Sequence, residues 1–197
     1  MSQKIKIMIL GGARENGKNM YAVQVEDEIF IMDAGLKYPD SSLLGIDVVI
    51  PDLDFFRDYG DKIAGIFLTH GHADSIGALP YILRDYDIPV FGSKLTIELA
   101  KIAVQRENRR RKNDLFHVID ADTEIEFKNA NVSFFKTTHS IPDSLGIDIS
   151  TKEGEIVYTG DFKFDPSAKE GFRTDFVRLS EIAQKGVLAL LSDSTNA

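Results

Sequence analysis

The densest chemistry in this chain lies in residues 69–74, where His70, His72 and Asp74 stand close together. Two imidazoles separated by one residue in a tight loop can point at one cation, and a carboxylate two residues later can reach a neighbouring position. The spacing therefore permits a site for one or two metal ions. An apolar run, residues 63–68, precedes the loop and predicts a short buried strand.

Two more candidate ligands stand at the ends of predicted strands. His139 follows the run 132–138, and Asp161 follows the run 156–159. Ligand sites in open α/β sheets lie at the carboxyl ends of the strands, so these side chains are expected near the histidine loop. Three imidazoles and one carboxylate suit Zn²⁺ or Mn²⁺. The chain has no cysteine, which excludes disulfides and thiolate metal sites.

Two further residues have more than one interpretation. The remaining histidine, His117, has no companions of its kind nearby, and we interpret it as a packing or surface residue. Asp33 ends a predicted strand and could simply form a turn there. Alternatively, its carboxylate accepts hydrogen bonds that orient a ligand histidine, or the loop that carries that histidine.

The elements that must position these residues alternate between β-branched or aromatic runs and helical stretches. The short turn Glu26-Asp27 predicts a hairpin and an antiparallel start to the sheet. This mixture favours an α/β fold with helices against one face of a mixed sheet. The predicted strands are residues 6–10, 20–25, 28–32, 63–68, 89–91, 115–119, 124–127, 131–136, 145–150, 156–159 and 187–191.

Three helices are expected between the strands. One covers residues 75–84, where Pro80 would weaken or bend it. Another is expected near residues 176–184. A third follows Ser93, which is a good N-cap, and its sheet-facing residues at i, i+4, i+7 spacing are Leu95, Leu99 and Ile102.

Composition bounds the class of protein. A hydrophobic content of 43% in 197 residues supports a buried core, and no apolar stretch reaches membrane-spanning length. The N-terminus lacks a secretory signal, so a cytoplasmic protein is expected. A net charge of −8 opposes general affinity for nucleic acid, so any RNA contact must be local. The basic cluster of Arg106 with residues 109–112 is interpreted as a solvated helix end.

One alternative is a nucleoside triphosphatase, because residues 12–19 nearly match a P-loop. The match fails twice: Asn19 replaces the Ser or Thr that binds Mg²⁺, and a strand-like run follows where a helix should begin. A glycine-rich turn between two strands, lining the metal cleft, accounts better for this segment.

Several motifs spread along the whole chain resemble those of one family. The chain is similar to the N-terminal part of the metallo-β-lactamase-fold ribonucleases of the RNase J family, within the β-CASP group. The motifs are Gly11-Gly12 with Gly17-Lys18-Asn19, Asp33-Ala34-Gly35, Leu44-Gly45-Ile46-Asp47, residues 69–74, Gly77-Ala78-Leu79-Pro80-Tyr81, Thr138-His139-Ser140-Ile141-Pro142-Asp143-Ser144, Thr159-Gly160-Asp161-Phe162-Lys163-Phe164-Asp165 and Leu191-Ser192-Asp193-Ser194-Thr195-Asn196.

The resemblance implies a fold and an organisation. The fold is an αββα sandwich of the metallo-β-lactamase type, of which residues 1–197 supply mainly the first half. The family's β-CASP and C-terminal domains, which contribute to RNA binding and to dimers, would lie outside this chain. The implied activity is hydrolysis of RNA phosphodiesters, as a 5′-to-3′ exonuclease, an endonuclease or both, in mRNA decay and rRNA maturation.

The resemblance also implies ligand roles. His70, His72 and His139 would hold one metal, Asp161 would bridge to a second, and Asp74 would bind the second together with the histidine that normally follows it. Here Ser75 takes that histidine's place. A neutral hydroxyl is a poor ligand for Zn²⁺ or Mn²⁺, so we expect about one metal per chain and weakened or lost activity.

The departure at Ser75 resembles the weakly active or inactive second paralogue of this family in some Gram-positive bacteria, which pairs with the active one. RNA and a paralogous subunit, in a homo- or hetero-oligomer, are then the expected partners. Some family members also carry Ca²⁺ near the positions of Gly45 and Asp47. Two alternatives stay open on the same fold: a small-molecule metallo-hydrolase, and a structural subunit without chemistry.

Overall fold

The computed structural model describes residues 2–40, 42–107, 113–169 and 171–195, which form two packed β-sheets with helices on their outer faces. The first three strands of the first sheet pair antiparallel, and the remaining neighbours pair in parallel. The predicted hairpin through Glu26-Asp27 is confirmed. In order across this sheet, the strands are β1 (Ile5–Gly11), β2 (Met20–Val25), β3 (Glu28–Met32), β4 (Ile63–Phe67), β5 (Val90–Gly92) and β6 (Phe116–Val118).

The second sheet is mainly an antiparallel meander. It contains β7 (Glu124–Glu126), β8 (Asn131–Lys136), β9 (Leu145–Thr151), β10 (Gly154–Tyr158) and β11 (Val187–Leu191). The order across the sheet is β11-β10-β9-β8-β7, so β11 lies at an edge and pairs in parallel with β10. The chain therefore supplies strands to both sheets of the sandwich.

Alternation along the strands separates two cores. In β3, Phe30 and Met32 face the second sheet, whereas Ile29 and Ile31 face the helices, as expected for side chains that alternate across a strand. Aromatic rings fill the space between the sheets, where the centroids of Phe67 and Phe134 lie 6.3 Å apart.

Helices cover the two outer faces. Four of them pack on the first sheet: α1 (Asp54–Tyr59), α2 (Ala73–Ile76), α3 (Leu79–Asp85) and α4 (Lys94–Glu107). On the second sheet lies α5 (Phe176–Lys185), whose Ile182 packs against Phe135 and Val157. The predicted α/β class and αββα architecture are confirmed. Within the described ranges, no helix is both long and apolar enough to cross a bilayer.

The single helix predicted for residues 75–84 is wrong, because α2 and α3 are separated at Gly77 and Ala78. The Ala78 N–H donates to the Ala34 carbonyl at 2.7 Å. A Cβ on Gly77 would approach side-chain atoms of Leu36 at 2.3 Å, so a larger residue would not fit there. Contact with residues 34–36 thus interrupts the helix. Pro80 falls in the first turn of α3, where a missing N–H does little harm.

The predicted sheet-facing side of α4 is also wrong in part. Ile102 is 47% exposed, although Leu99 does pack at the edge of the core. The residues that α4 buries are small or β-branched, which lets the helix approach the sheet closely; they are Thr96, Ile97, Ala100 and Val104. Ser93 immediately precedes the helix, as predicted.

Candidate metal centre

Three loops at one edge of the sandwich bring the five candidate ligands together. The loop after β4 carries His70, His72 and Asp74, the loop after β8 carries His139, and the loop after β10 carries Asp161. Both sheets therefore contribute to the site. The Leu145 N–H donates to the Thr69 carbonyl at 2.8 Å, which joins the sheets beside it.

The three histidines form a compact triad. Their ring centroids lie 4.7–5.0 Å apart, and one ligand atom from each lies within 4.8 Å of the others. His72 Nδ1 is 3.2 Å from His139 Nε2. One cation of the kind that imidazoles prefer can therefore contact all three rings.

A second group joins His70 to the two carboxylates. His70 Nε2 lies 3.8 Å from Asp74 Oδ1 and 3.9 Å from Asp161 Oδ2. Asp161 Oδ2 also lies 4.0 Å from His139 Nε2. Asp161 thus stands between the two groups, where a carboxylate can contact a cation in either.

Two buried atoms in this cluster lack the partners that buried polar groups normally have. His70 Nε2 and Asp74 Oδ1 have no hydrogen-bond partner among the described residues, and both atoms are shielded from solvent. Buried polar atoms are nearly always hydrogen-bonded or bound to a metal. A divalent cation would satisfy both atoms, so the residues present fit a metal centre.

The electrostatics are consistent with this assignment. Burial, together with the neighbouring His139 and His72, lowers the pKa of His70 to about 3, so its imidazole is neutral at pH 7. Burial, with Asp74 and Asp193 nearby, raises the pKa of Asp161 to about 6. A metal ion needs neutral imidazoles and ionised carboxylates. The site supplies a neutral His70 already, and a bound cation would favour ionised carboxylates.

Asp33 lies directly behind the centre and is completely buried. Its carboxylate accepts hydrogen bonds from the Thr69 N–H at 2.8 Å, the Thr69 hydroxyl at 2.9 Å and the Tyr158 hydroxyl at 2.9 Å. Burial raises the pKa of Asp33 to about 8, while these hydrogen bonds stabilise the charged form. The sequence allowed Asp33 either to form a turn or to orient the loop that carries His70. The hydrogen bonds to Thr69 are those that the second interpretation requires.

The chain of contacts continues from Thr69 to a ligand. Thr69 Oγ1 lies 2.9 Å from His70 Nδ1. When Asp33 is ionised, the Thr69 hydroxyl donates its hydrogen bond to Asp33. Thr69 Oγ1 then acts as the acceptor for a hydrogen bond from Nδ1–H of His70. That tautomer leaves a lone pair on Nε2, the atom that faces Asp74 and Asp161.

Ser75 is fully buried. Its Oγ lies 3.4 Å from His70 Nδ1, whereas His70 Nε2 is the ring nitrogen near Asp74 and Asp161. The serine therefore contacts the side chain of a candidate ligand.

The backbone of residues 73–75 is held by two other segments. The N–H groups of Asn19, Ala34 and Leu36 donate hydrogen bonds of 2.8–3.0 Å to its carbonyl oxygens. Gly35 lies so close that a Cβ there would overlap the Asp74 carbonyl. The positions of Asp74 and Ser75 thus depend on contacts made far along the chain.

Several cavities adjoin the centre, including one of about 460 Å³ beside His72 and Asp74, and two of them lie on its Asp161 and His139 sides. The first, of about 610 Å³ and called here the Asp161 cavity, lies beside Asp161 and is lined by the glycine-rich turn 12–17 and by residues 191–195. This turn joins two antiparallel strands, which agrees with the rejection of a P-loop. The second, of about 360 Å³ and called here the His139 cavity, lies beside His139.

The remaining sequence candidates lie elsewhere. Gly45 and Asp47 are exposed in the loop before Val49, and neither belongs to a metal-ligating group in the described part of the chain. His117 is exposed and stacks on Phe91, as interpreted. Residues 109–112 of the basic cluster lie outside the described residues. Tyr158 was not singled out by the sequence analysis, although it stands two residues before the motif glycine Gly160.

Curated relatives match this chain along nearly its whole length. It is 62% identical over 193 residues, 98% of the chain, to a protein named Ribonuclease J 2 from Streptococcus pyogenes serotype M3. It is 50% identical over 196 residues to a protein of the same name from Staphylococcus epidermidis. The chain spans about a third, 35%, of the length of these relatives. The resemblance to the RNase J family is confirmed.

A structural comparison agrees on the fold. The metallo-beta-lactamase fold protein YhfI from Bacillus subtilis superimposes with a TM-score of 0.55 at 19% identity, covering 83% of this chain and 64% of that one. Residues 13–191 match the family described as the metallo-beta-lactamase superfamily. This match covers most of the chain, so the chain belongs to the metallo-beta-lactamase superfamily.

Proposed function

We propose that this chain is the N-terminal part of the metallo-β-lactamase domain of a longer, metal-dependent ribonuclease. The observation that carries the proposal is the convergence of His70, His72, His139, Asp74 and Asp161, with two buried ligand atoms left without partners. The relatives named Ribonuclease J 2 support RNA as the substrate.

Each residue has a distinct role in this proposal. His70, His72 and His139 hold a Zn²⁺ or Mn²⁺ ion, and Asp161 and Asp74 extend the site toward a second position. A divalent metal in such a site activates water and neutralises charge on a phosphodiester. When Asp33 is ionised, Asp33 and Thr69 would fix the tautomer of His70. The cavities beside Asp161 and His139 leave room for an RNA strand.

The second metal position is the weaker one. It has Asp74 and Asp161, but Ser75 offers only a neutral hydroxyl, which lies 3.4 Å from His70 Nδ1. With one divalent ion instead of two, the site would supply less charge stabilisation for phosphodiester hydrolysis, so we expect a slow reaction. The finer functions that we propose are 5′-to-3′ exonuclease or endonuclease cleavage in mRNA decay and rRNA maturation.

Metal content tests the site directly. Purified without EDTA, the protein should carry about one transition metal per chain by elemental analysis, and the His139→Ala variant should carry almost none. A matched control is His117→Ala, which changes an exposed histidine outside the site. Two tightly held metals per chain would contradict the role given to Ser75, and equal metal content in all three proteins would contradict the site.

Restoring the histidine tests the nuclease proposal. The Ser75→His variant of the full-length protein should gain Mn²⁺-dependent cleavage of 5′-monophosphorylated RNA and a second metal. Because Ser75 is buried, circular dichroism must first show that the variant folds, and Ser75→Ala serves as the control for loss of the serine. A folded variant with two metals and no cleavage would contradict the nuclease assignment.

The burial of Ser75 also favours a second candidate function, a non-catalytic subunit that pairs with an active paralogue. Under this alternative, the protein binds its paralogue equally well with and without His139, and RNA cleavage by the mixed complex is unaffected by His139→Ala. Under the first proposal, His139→Ala lowers the rate at which the mixed complex cleaves RNA, because this subunit no longer contributes to cleavage. Hydrolysis of thioesters or lactones, without cleavage of RNA, would instead indicate a small-molecule hydrolase.

A further inference from the structure

The His139 cavity has the size of a ligand site and adjoins the metal centre. Its volume of about 360 Å³ falls within the range of about 300–1,000 Å³ that is typical of small-molecule sites. His139 forms part of its wall, so an occupant would lie next to the metal ligands. Its other lining residues include carboxylates and hydroxyls, together with two classes that could contact a flat anionic ligand, cationic and apolar side chains.

Two lysines provide the cationic class. Lys94 begins α4 and Lys136 ends β8, and both side chains are exposed at the cavity. Neither ammonium forms an ion pair with any described residue, in contrast to Lys128, which pairs with Asp27 at 2.7 Å. Free cations beside the centre are notable in a chain with a net charge of −8.

Two carboxylates, Asp120 and Asp143, also line the cavity. Asp120 is engaged in its own turn, where its Oδ1 accepts from the Thr123 hydroxyl at 2.7 Å and from the Asp122 N–H at 3.1 Å. The two ammonium groups thus balance two carboxylates and are the charged side chains of the lining that can donate to an anion, and a metal ion bound at His139 would add positive charge.

Exposed apolar side chains provide the second class. Phe172 is 49% exposed and Val118 is 54% exposed, although both line a cavity next to a polar centre. The Phe172 ring stacks on no other ring within the described ranges. The backbone of this residue is held next to His139, because the Phe172 carbonyl accepts from the Thr138 hydroxyl at 2.9 Å. An exposed ring on a backbone anchored beside the centre is a suitable platform for a flat ligand.

We propose that the His139 cavity binds one nucleotide of a single-stranded RNA, with its base against the Phe172 ring and its phosphates at Lys94 and Lys136. This inference rests on the proposed nuclease function and specifies where one side of the scissile strand lies. The Asp161 cavity accommodates the other side. A flat base, a sugar and a phosphate match a site with an aromatic ring, hydroxyls and unpaired cations.

Stacking is tested first. Binding of a fluorescein-labelled oligouridylate to this chain is measured by anisotropy in EDTA, where metal-dependent cleavage is absent. Phe172→Ala should weaken binding about tenfold, since one base–aromatic stack contributes about that factor. Phe172→Tyr, which retains the ring, should bind like the unchanged protein. The control Phe176→Ala removes an exposed phenylalanine that lines neither cavity and should have no effect.

The phosphate contacts are tested through salt. Each phosphate contact to single-stranded nucleic acid contributes about 0.7 to the slope of log affinity against log salt. Lys94→Gln and Lys136→Gln should each lower the magnitude of the slope by about that amount. Lys152→Gln removes an exposed lysine from the turn between β9 and β10, outside both cavities, and should leave the slope unchanged.

The outcomes separate this inference from the proposed function. Equal affinities for Phe172→Ala and Phe176→Ala, or equal slopes for the three lysine variants, would overturn the nucleotide site, even if the full-length protein cleaves RNA. Loss of binding in Phe172→Ala and the two cavity lysine variants alone would establish the site, even if no cleavage is found.

Discussion

Asp33 connects the two sheets through single side chains at the metal centre. Asp33 immediately follows β3 of the first sheet. Its φ is +58°, a backbone conformation that aspartate tolerates better than most residues. Its carboxylate accepts hydrogen bonds from the Tyr158 hydroxyl of the second sheet and from Thr69. Thr69 in turn contacts His70. The orientation of a metal ligand thus depends on a residue that touches no metal.

Replacing this carboxylate should weaken metal binding without removing a ligand. We expect Asp33→Asn to lower metal affinity by about 10–100-fold, the usual effect of losing a group that orients a ligand. The amide has one acceptor oxygen in place of two, so it cannot accept from all three donors in the arrangement that the carboxylate has. Competition with a fluorescent chelator measures the affinity.

Tyr158→Phe is the matched control, because it removes one donor to Asp33 and leaves the Thr69–His70 contact. Its metal affinity should fall less than that of Asp33→Asn. Equal affinity in Asp33→Asn and in the unchanged protein would show that the tautomer of His70 does not depend on Asp33.

The candidate ligands could be predicted from the sequence because their spacing is local or marked by strand ends. His70, His72 and Asp74 lie within one loop, and each of the other two follows a strand. The contact between Tyr158 and Asp33 could not be predicted, since 125 positions separate the two residues and only the packing of the sheets brings them together.

At the scale of elements, α5 covers a pair of buried carboxyl groups on the second sheet. Asp148 on β9 and Glu155 on β10 are 0% and 3% exposed, and each has one oxygen without a hydrogen-bond partner in the described part of the chain. The Ser133 hydroxyl donates to Asp148 at 3.3 Å, and Lys185 of α5 provides a nearby positive charge. Burial and the adjacent Glu155 raise the pKa of Asp148 to about 7.

This pair predicts a dependence of stability on pH. Asp148 keeps its proton up to about pH 7 when folded, but loses it near pH 4 when unfolded. Its contribution to the free energy of unfolding is therefore complete below pH 4 and is lost as the pH rises to 7. Asp148→Asn should stabilise the protein relative to the unchanged chain at pH 8, with a higher Tm by about 2–4 °C per kcal/mol gained.

Thermal unfolding of both proteins at pH 4, 6 and 8 provides the measurement. The difference in Tm should grow with pH, whereas the control Asp122→Asn, an exposed aspartate, should show a constant difference. A Tm difference for Asp148→Asn that does not change between pH 4 and 8 would contradict the raised pKa of Asp148.

The helices were harder to predict than the strands, for reasons visible in α2, α3 and α4. Strands β2, β3, β8 and β11 begin and end as predicted, because turns and alternation delimit them. The break at Gly77 comes from contact with Leu36. The buried side of α4 consists of small or β-branched residues, which allow a close approach to the sheet. The spacing of large apolar residues along the helix does not indicate this side.

At the scale of the whole molecule, one edge of the sandwich has exposed apolar side chains. The edge strand β11 exposes 50% of Leu188 and 63% of Leu190, and the neighbouring α5 exposes 72% of Val177. Unpaired strand edges with apolar side chains readily pair with other chains. This surface favours contact with a further part of the same protein or with another copy.

The isolated chain should therefore self-associate at high concentration. Multi-angle light scattering should show species larger than 22.0 kDa, and Leu190→Lys should shift them toward the monomer by placing a charge on the strand edge. Leu44→Lys is the control, because Leu44 is 90% exposed in a loop away from β11. A clean monomer for the unchanged chain at high concentration would contradict the prediction.

The origin of the candidate ligands in both sheets has a mechanical consequence. An ion held by His72 and His139 would tether positions 67 residues apart in the chain, much as a covalent cross-link closes a loop and restricts the unfolded chain. The two leaves of the sandwich could then separate at this edge only after the ion dissociates. Amide hydrogen exchange in β4 and β8 should accordingly slow when the ion binds, because a bound metal would also stabilise the contact between the sheets.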